Sequence, residues 1–168
     1  MTNEDPNIVE ITLSVDTRKV ILFYLVNILC DDSMAEGAAN LAASYRQLLA
    51  ANHRRKQQHG VTVTLMQMFV GAEEDEKFKL HDNLIFNLRY MLEEKLAQGE
   101  ELRERVAKQS VGKAAEINES NETTRQAIKE LTSDDWEDGW EDFKSKADEA
   151  QAAAKKQVEE DKSRILMP

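Results

Sequence analysis

Cysteine occurs once in the 168 residues, at Cys30. A single thiol closes no intramolecular disulfide, so the chain does not read as a cross-linked secreted scaffold, and a reducing compartment such as the cytoplasm fits it. Its position at the end of an apolar run suits a small core residue better than a reactive thiol. Long apolar runs are missing too. Val20 to Leu29, interrupted by Asn27 and bounded by Arg18-Lys19 and Asp31-Asp32, is about half of the roughly 20 residues that a membrane span requires. It reads as a buried helix. The opening residues Met1 to Pro6 are acidic and polar, where a signal peptide would be basic and then apolar. Secretion is therefore not expected, and the sequons Asn118-Glu119-Ser120 and Asn121-Glu122-Thr123 are expected to be accidents of a polar stretch.

Motifs that carry chemistry are absent. His53, His59 and His81 are not spaced with Cys30 or with carboxylates as metal ligands, and no HExxH, CxxC or phosphate-cradling glycine loop occurs. Asp134, Asp138 and Gly139 match positions one, five and six of a calcium loop, but Trp136 stands at position three and Ser145 at position twelve, where a bidentate glutamate is needed. No catalytic residue, metal site or cofactor is expected, and the chain reads as non-enzymatic. Basic charge is also in deficit. Against 32 acidic residues stand 22 basic ones, a formal charge of -10, which repels nucleic-acid phosphate over much of the surface.

What is present is unevenly distributed. Large apolar residues concentrate before about Val106 and thin out after it. This divides the chain into a globular, mostly helical body over 1–108, a polar connector over 109–131 and an acidic amphipathic helical arm over 132–168. The core is expected from the first two thirds. The fold expected is mainly α: a bundle-like helical body, a small two-stranded β element near the N-terminus and an extended C-terminal helix.

Val9, Ile11, Leu13 and Val15 alternate with Glu10, Thr12 and Ser14, which predicts a strand over Ile8–Val15. Asp16 or Thr17 then caps a helix through Val20, Ile21, Tyr24, Leu25 and Ile28. Ser33 is expected to cap the next helix, which ends in the basic run His53-Arg54-Arg55-Lys56 and at Gly60. Val61 to Val70 is read as a second strand pairing with the first, with a helical reading of Leu65 to Val70 left open. Glu73 to Lys108 is read as one long helix, opened by Glu73-Glu74-Asp75-Glu76. Ser110 to Thr124 fits a loop, a weak helix or a disordered connector.

The richest signal lies in the arm. Both tryptophans sit among Asp134, Asp135, Glu137, Asp138, Glu141 and Asp142 with no base between them. Trp136, Trp140 and Phe143 fall at i, i+4 and i+7, the spacing of helix-in-groove anchors, and Thr132 with Asp135, or Asp134 with Glu137, supplies a capping box. The rings are expected either to dock on a partner or to pin the arm to this chain's own core, with the carboxylates wet in both cases. His53, Arg54, Arg55 and Lys56 form a candidate acceptor for the acidic arm, within the chain or from a second copy. The function expected is a protein–protein interaction or assembly factor whose partner is another protein or another copy of itself. An acidic decoy occupying a nucleic-acid-binding site on another protein is the alternative. A membrane-active helical protein comes third, since anionic lipid attracts bases rather than carboxylates.

Overall fold

The computed structural model describes the backbone over residues 5–39 and 45–166, and side chains over 5–28, 56–57 and 59–164. Its elements are β1 (Ile8–Thr12), α1 (Val15–Ala39), α2 (Tyr45–Phe69), β2 (Lys77–His81), α3 (Asp82–Ala107), α4 (Val111–Glu130), a single 3-10 turn (Asp134–Trp136) and α5 (Glu137–Leu166). The expected mainly helical fold, with a two-stranded sheet near the N-terminus and a long last helix, is the one observed. The helices pack in the order α2, α1, α4, α3, α5, so that α4 is central and α2 and α5 are the outermost members.

β1 follows its alternation: Ile11 and, just past the strand, Leu13 are buried, while Glu10 and Thr12 are exposed. Its antiparallel partner is not Val61–Val70. It is β2, with Ile11 opposite Phe78 and Val9 opposite Leu80. Lys77, Phe78, Lys79 and Leu80 alternate between solvent and core, which is the period a half-buried strand demands. Two strands alone are marginal, and this pair is held by packing: the Phe69 ring meets Phe78 edge-on at 5.3 Å between centroids.

Val61–Phe69 is helical despite its β-branched residues because Thr62, Leu65 and Phe69 are the buried positions, and i, i+3, i+7 is a helix face. Burial there outweighs local propensity, which is a weak prior. α2 therefore runs through Gly60 and stops at Gly71, whose φ of 76° is the left-handed conformation that ends helices. Ser33 likewise lies inside α1 rather than at a cap.

The expected helix from Glu73 is also corrected, since its first residues are a loop tied to α1. Arg18, 4% exposed, donates to the carbonyls of Leu13 (2.9 Å), Ala72 (3.3 Å), Glu73 (2.6 Å) and Glu74 (3.2 Å), and its guanidinium lies 4.9 Å from the centre of the Phe78 ring. The carbonyls of Ala72, Glu73 and Glu74 are thus committed to a guanidinium, and Glu73 to Glu76 form a turn, the Glu76 N–H donating to the Glu73 carbonyl at 3.3 Å. α3 then starts at Asp82.

Residues 111–130, within the expected connector, are a helix that belongs to the core. Ala127 and the capping residue Leu131 are fully buried. Asn121 and Thr124 are buried as well, and the Thr124 hydroxyl lies 3.1 Å from the Tyr24 hydroxyl of α1. α4 approaches α3 closely at Gly99, where an added Cβ would come within 2.2 Å of Asn121 Oδ1. At its far end Glu130 caps α1: Ser14 donates its N–H (2.6 Å) and hydroxyl (2.8 Å), and Thr17 its hydroxyl (2.5 Å), to the carboxylate. Negative charge at a helix N-terminus is favourable. Burial alone would raise the Glu130 carboxyl, but these donors outweigh it and hold the group below its usual range.

Candidate interaction surfaces

The arm begins where Ser133 caps the 3-10 turn, its hydroxyl accepting from the Asp135 N–H at 3.3 Å. The cap is neither of the two capping boxes expected. Trp136 is half-buried and donates its indole N–H to the Leu131 carbonyl at 3.0 Å. Trp140 is 1% exposed. Its ring lies under the Arg89 guanidinium at 4.1 Å, tilted against Phe86 at 6.0 Å and stacked with Phe143 at 6.0 Å. Phe143 also meets Phe86 at 5.6 Å and Tyr90 at 6.4 Å. The i, i+4, i+7 spacing thus brings the three rings to the inner side of the arm, and the groove that receives Trp140 and Phe143 is formed by α3 of the same chain. Gly139 lets α5 come this close, because a Cβ there would stand 3.1 Å from Phe86 Cζ.

Arg89 joins the two helices electrostatically, with Glu137 at 3.1 Å and Glu93 at 3.5 Å. Further along, the Tyr90 hydroxyl lies 2.8 Å from Asp148 Oδ1 and 3.0 Å from Gln151 Oε1. Its pKa is pushed up to about 12, first by the hydrogen bond to Asp148, then by burial and by the negative charge of Asp148 and Glu94. Gln151 reaches Glu94 at 3.4 Å, so α3 and α5 run parallel from Phe86 to Glu94. Beyond Gln151, residues 152–160 of α5 are exposed on every side.

Of the six carboxylates around the rings, Glu137 is half-buried against Arg89, whereas Asp134, Asp135, Asp138, Glu141 and Asp142 are exposed. Asp142 pairs with Lys146 at 3.0 Å. The candidate acceptor lies within α2 rather than at its end: Lys56 is exposed, and the side chains of His53, Arg54 and Arg55, like that of Cys30, lie outside the described residues. α2 packs on α1 and α5 on α3, at opposite ends of the packing series.

A second surface was not anticipated from sequence. Phe23 (61% exposed) and Val26 on α1, Val63 and Met66 on α2, and Val70 (75% exposed) in the turn just past α2 present large apolar side chains to solvent. Val63 and Met66 fall at i and i+3 and so share one flank of the helix. The signal was there, but Val63 and Val70 read as strand residues and Phe23 as core. Among the described residues no group of three or more His, Cys, Asp or Glu is placed to hold a metal ion, and no helix is long and apolar enough to cross a membrane. No protein-family model, curated protein or solved structure matches the chain.

Proposed function

We propose that this chain is a non-enzymatic protein–protein interaction or assembly factor, acting in the cytoplasm. It docks through the outer face of the α1–α2 hairpin and uses the carboxylates of α5 as a second contact surface. One observation carries the reading: Phe23, Val26, Val63 and Met66 are exposed on two helices that pack on each other, with Val70 exposed in the turn that follows the second. Scattered exposed apolar residues are ordinary, whereas a set gathered on one structural unit marks an interaction surface. With its rings engaged by α3, α5 docks by charge, through Asp134, Asp135, Asp138, Glu141 and Asp142, which steer a basic partner and set its register more than they add affinity.

The double substitution Phe23→Asp with Met66→Asp tests this, both side chains being exposed. Helical circular dichroism and the urea midpoint are expected to hold, while recovery of bound protein, including a differently tagged copy of the chain itself, is lost. Undiminished recovery with the double variant would refute the reading. The acidic decoy remains the second reading, favoured by the five exposed carboxylates at the start of the arm. It requires the chain to displace DNA from a basic protein, and binding indifferent to both DNA and salt removes it.

A further inference from the structure

Apart from the hairpin face, we propose that the α3 seat formed by Phe86, Arg89 and Tyr90 is an interface between copies of this chain. The arm of each copy fills the seat of the other once the bend between α4 and α5 straightens into one helix. Seat and occupant are complementary within one chain. Trp140 and Phe143 meet Phe86 at 6.0 Å and 5.6 Å. Arg89 lies 4.1 Å from the centre of the Trp140 ring and 3.1 Å from Glu137, and the Tyr90 hydroxyl lies 2.8 Å from Asp148. Every one of these pairs joins α5 to α3, and Trp140 is the one buried side chain of α5 among the described residues. An arm held by one face of one helix fits the same face of a second copy contact for contact. Exchange of an identical element is a low-cost route to a dimer, since each contact is one the chain already makes.

The bend makes the exchange available. Residues 131–136 hold neither proline nor glycine, and none has a positive φ. Leu131 and Glu137 lie in the right-handed helical region, and Ser133 between them is extended, with φ of -152° and ψ of 144°. In a continuous helix the Leu131 carbonyl would accept from the Asp135 N–H. In the bend that pair is split, and a side chain satisfies each half. The carbonyl accepts the Trp136 indole N–H at 3.0 Å, and the Asp135 N–H donates to the Ser133 hydroxyl at 3.3 Å. Straightening therefore trades side-chain hydrogen bonds for the main-chain one and turns a few dihedrals, as hinges do. The directions agree as well. α4 returns along α3, with Arg125 paired to Glu100, and α5 runs parallel to α3, so α5 runs opposite to α4. Two straight helices over 111–166, related by a twofold axis beside the hinge, are also opposite in direction. Each α5 then passes α3 and α4 of the other copy in the sense it has within one chain.

The full-length chain, unfolded in urea and refolded at high concentration, is expected to yield a species of doubled mass in sedimentation that dilute refolding does not give. Asp134→Pro locks the bend. Proline suits the first position of a helix and holds the residue before it extended, as Ser133 already is, whereas inside a continuous helix it removes a hydrogen bond and clashes. That variant is expected to keep the wild-type urea midpoint and lose the doubled mass. Complementation tests the exchange itself. Trp140→Ala with Phe143→Ala spoils the arm, and Phe86→Ala with Arg89→Ala spoils the seat, so each alone is expected to unfold at lower urea. Refolded together, they are expected to form a mixed species of doubled mass, the intact arm in the intact seat, with a urea midpoint above either alone. A doubled mass that never forms, one that survives Asp134→Pro, or a mixture without the mixed species overturns the inference. The hairpin face is judged apart, since Phe23→Asp with Met66→Asp is expected to leave the exchanged dimer intact. A doubled mass lost in that variant but kept in Asp134→Pro excludes the exchange while the interaction reading stands.

Discussion

Trp140 is a residue whose chemistry is wholly spent inside the chain: its ring is covered by Arg89 above and by Phe86 and Phe143 at its sides. Trp140→Ala is therefore expected to destabilise the whole fold by about 3–5 kcal/mol, the range for truncating a large buried ring. Trp136→Ala costs less, since that ring is half-buried. Urea unfolding distinguishes this from a surface role, in which both variants would keep the wild-type midpoint. Glu130 gives a pH-dependent expectation. Its carboxyl is held below the usual range in the folded state, so it adds stability that is fully present above the unfolded pKa of about 4.3 and is lost as pH falls through the lower folded value. Glu130→Gln is expected to cost about 1–2 kcal/mol at neutral pH, the scale of hydrogen bonds to a charged acceptor. The gap to wild type should close on acidification below the ordinary carboxylate range. A gap unchanged across that range would show that the charge at the α1 terminus contributes nothing.

Helix α2 shows how an element is decided by what it packs on. Its two glycines, Gly60 within it and Gly71 just past it, look alike in sequence and behave oppositely. Gly60 is helical and an added Cβ meets nothing within 4 Å, so Gly60→Ala is expected to stabilise by roughly 0.5–1 kcal/mol. Gly71 has φ of 76°, and Gly71→Ala is expected to destabilise by about 1–2 kcal/mol despite equally open space. Opposite shifts of the thermal midpoint would bear this out, and equal shifts would not. The element was hard to read for the same reason: β-branched Val61 and Val63 carried a strand signal that only burial of Thr62, Leu65 and Phe69 overrules. β2 was legible, since Lys77 to His81 alternates, but the acids before it imitate a helix start, and nothing local reveals that Arg18 grips the carbonyls of Ala72, Glu73 and Glu74. α4 was least legible. Its buried Asn121 and Thr124 carry no apolar period, and Thr124 is accommodated inside by the Ser120 carbonyl of its own helix and by a hydroxyl from α1.

At the scale of the molecule, the packing order makes α5 both an arm and a wall. The first half of α5 closes the core over α3, so the last third of the sequence, poor in large apolar residues, still supplies Leu131 and Trp140 to the interior. The anchor spacing of the three rings was plain in the sequence. Their receiver was not, because Phe86 and Arg89 lie on a distant helix and differ in chemistry. A chain ending at Leu131 is expected to lose cooperative unfolding, as Phe86 would be uncovered. One ending at Ala154 keeps the ring contacts and the Tyr90, Asp148 and Gln151 cluster, and is expected to unfold at the wild-type urea concentration. Loss of cooperativity in the longer chain would mean that the exposed half of α5 contributes to the fold. The placement of both tryptophans at one end of α5 has an optical consequence. The chain's indole emission originates wholly beside α3 and α4, with one ring beneath a guanidinium and the other bonded to the Leu131 carbonyl. Their spectrum therefore reports whether the arm is seated, while the hairpin, which holds no indole, stays dark and can take an introduced fluorophore without a competing signal.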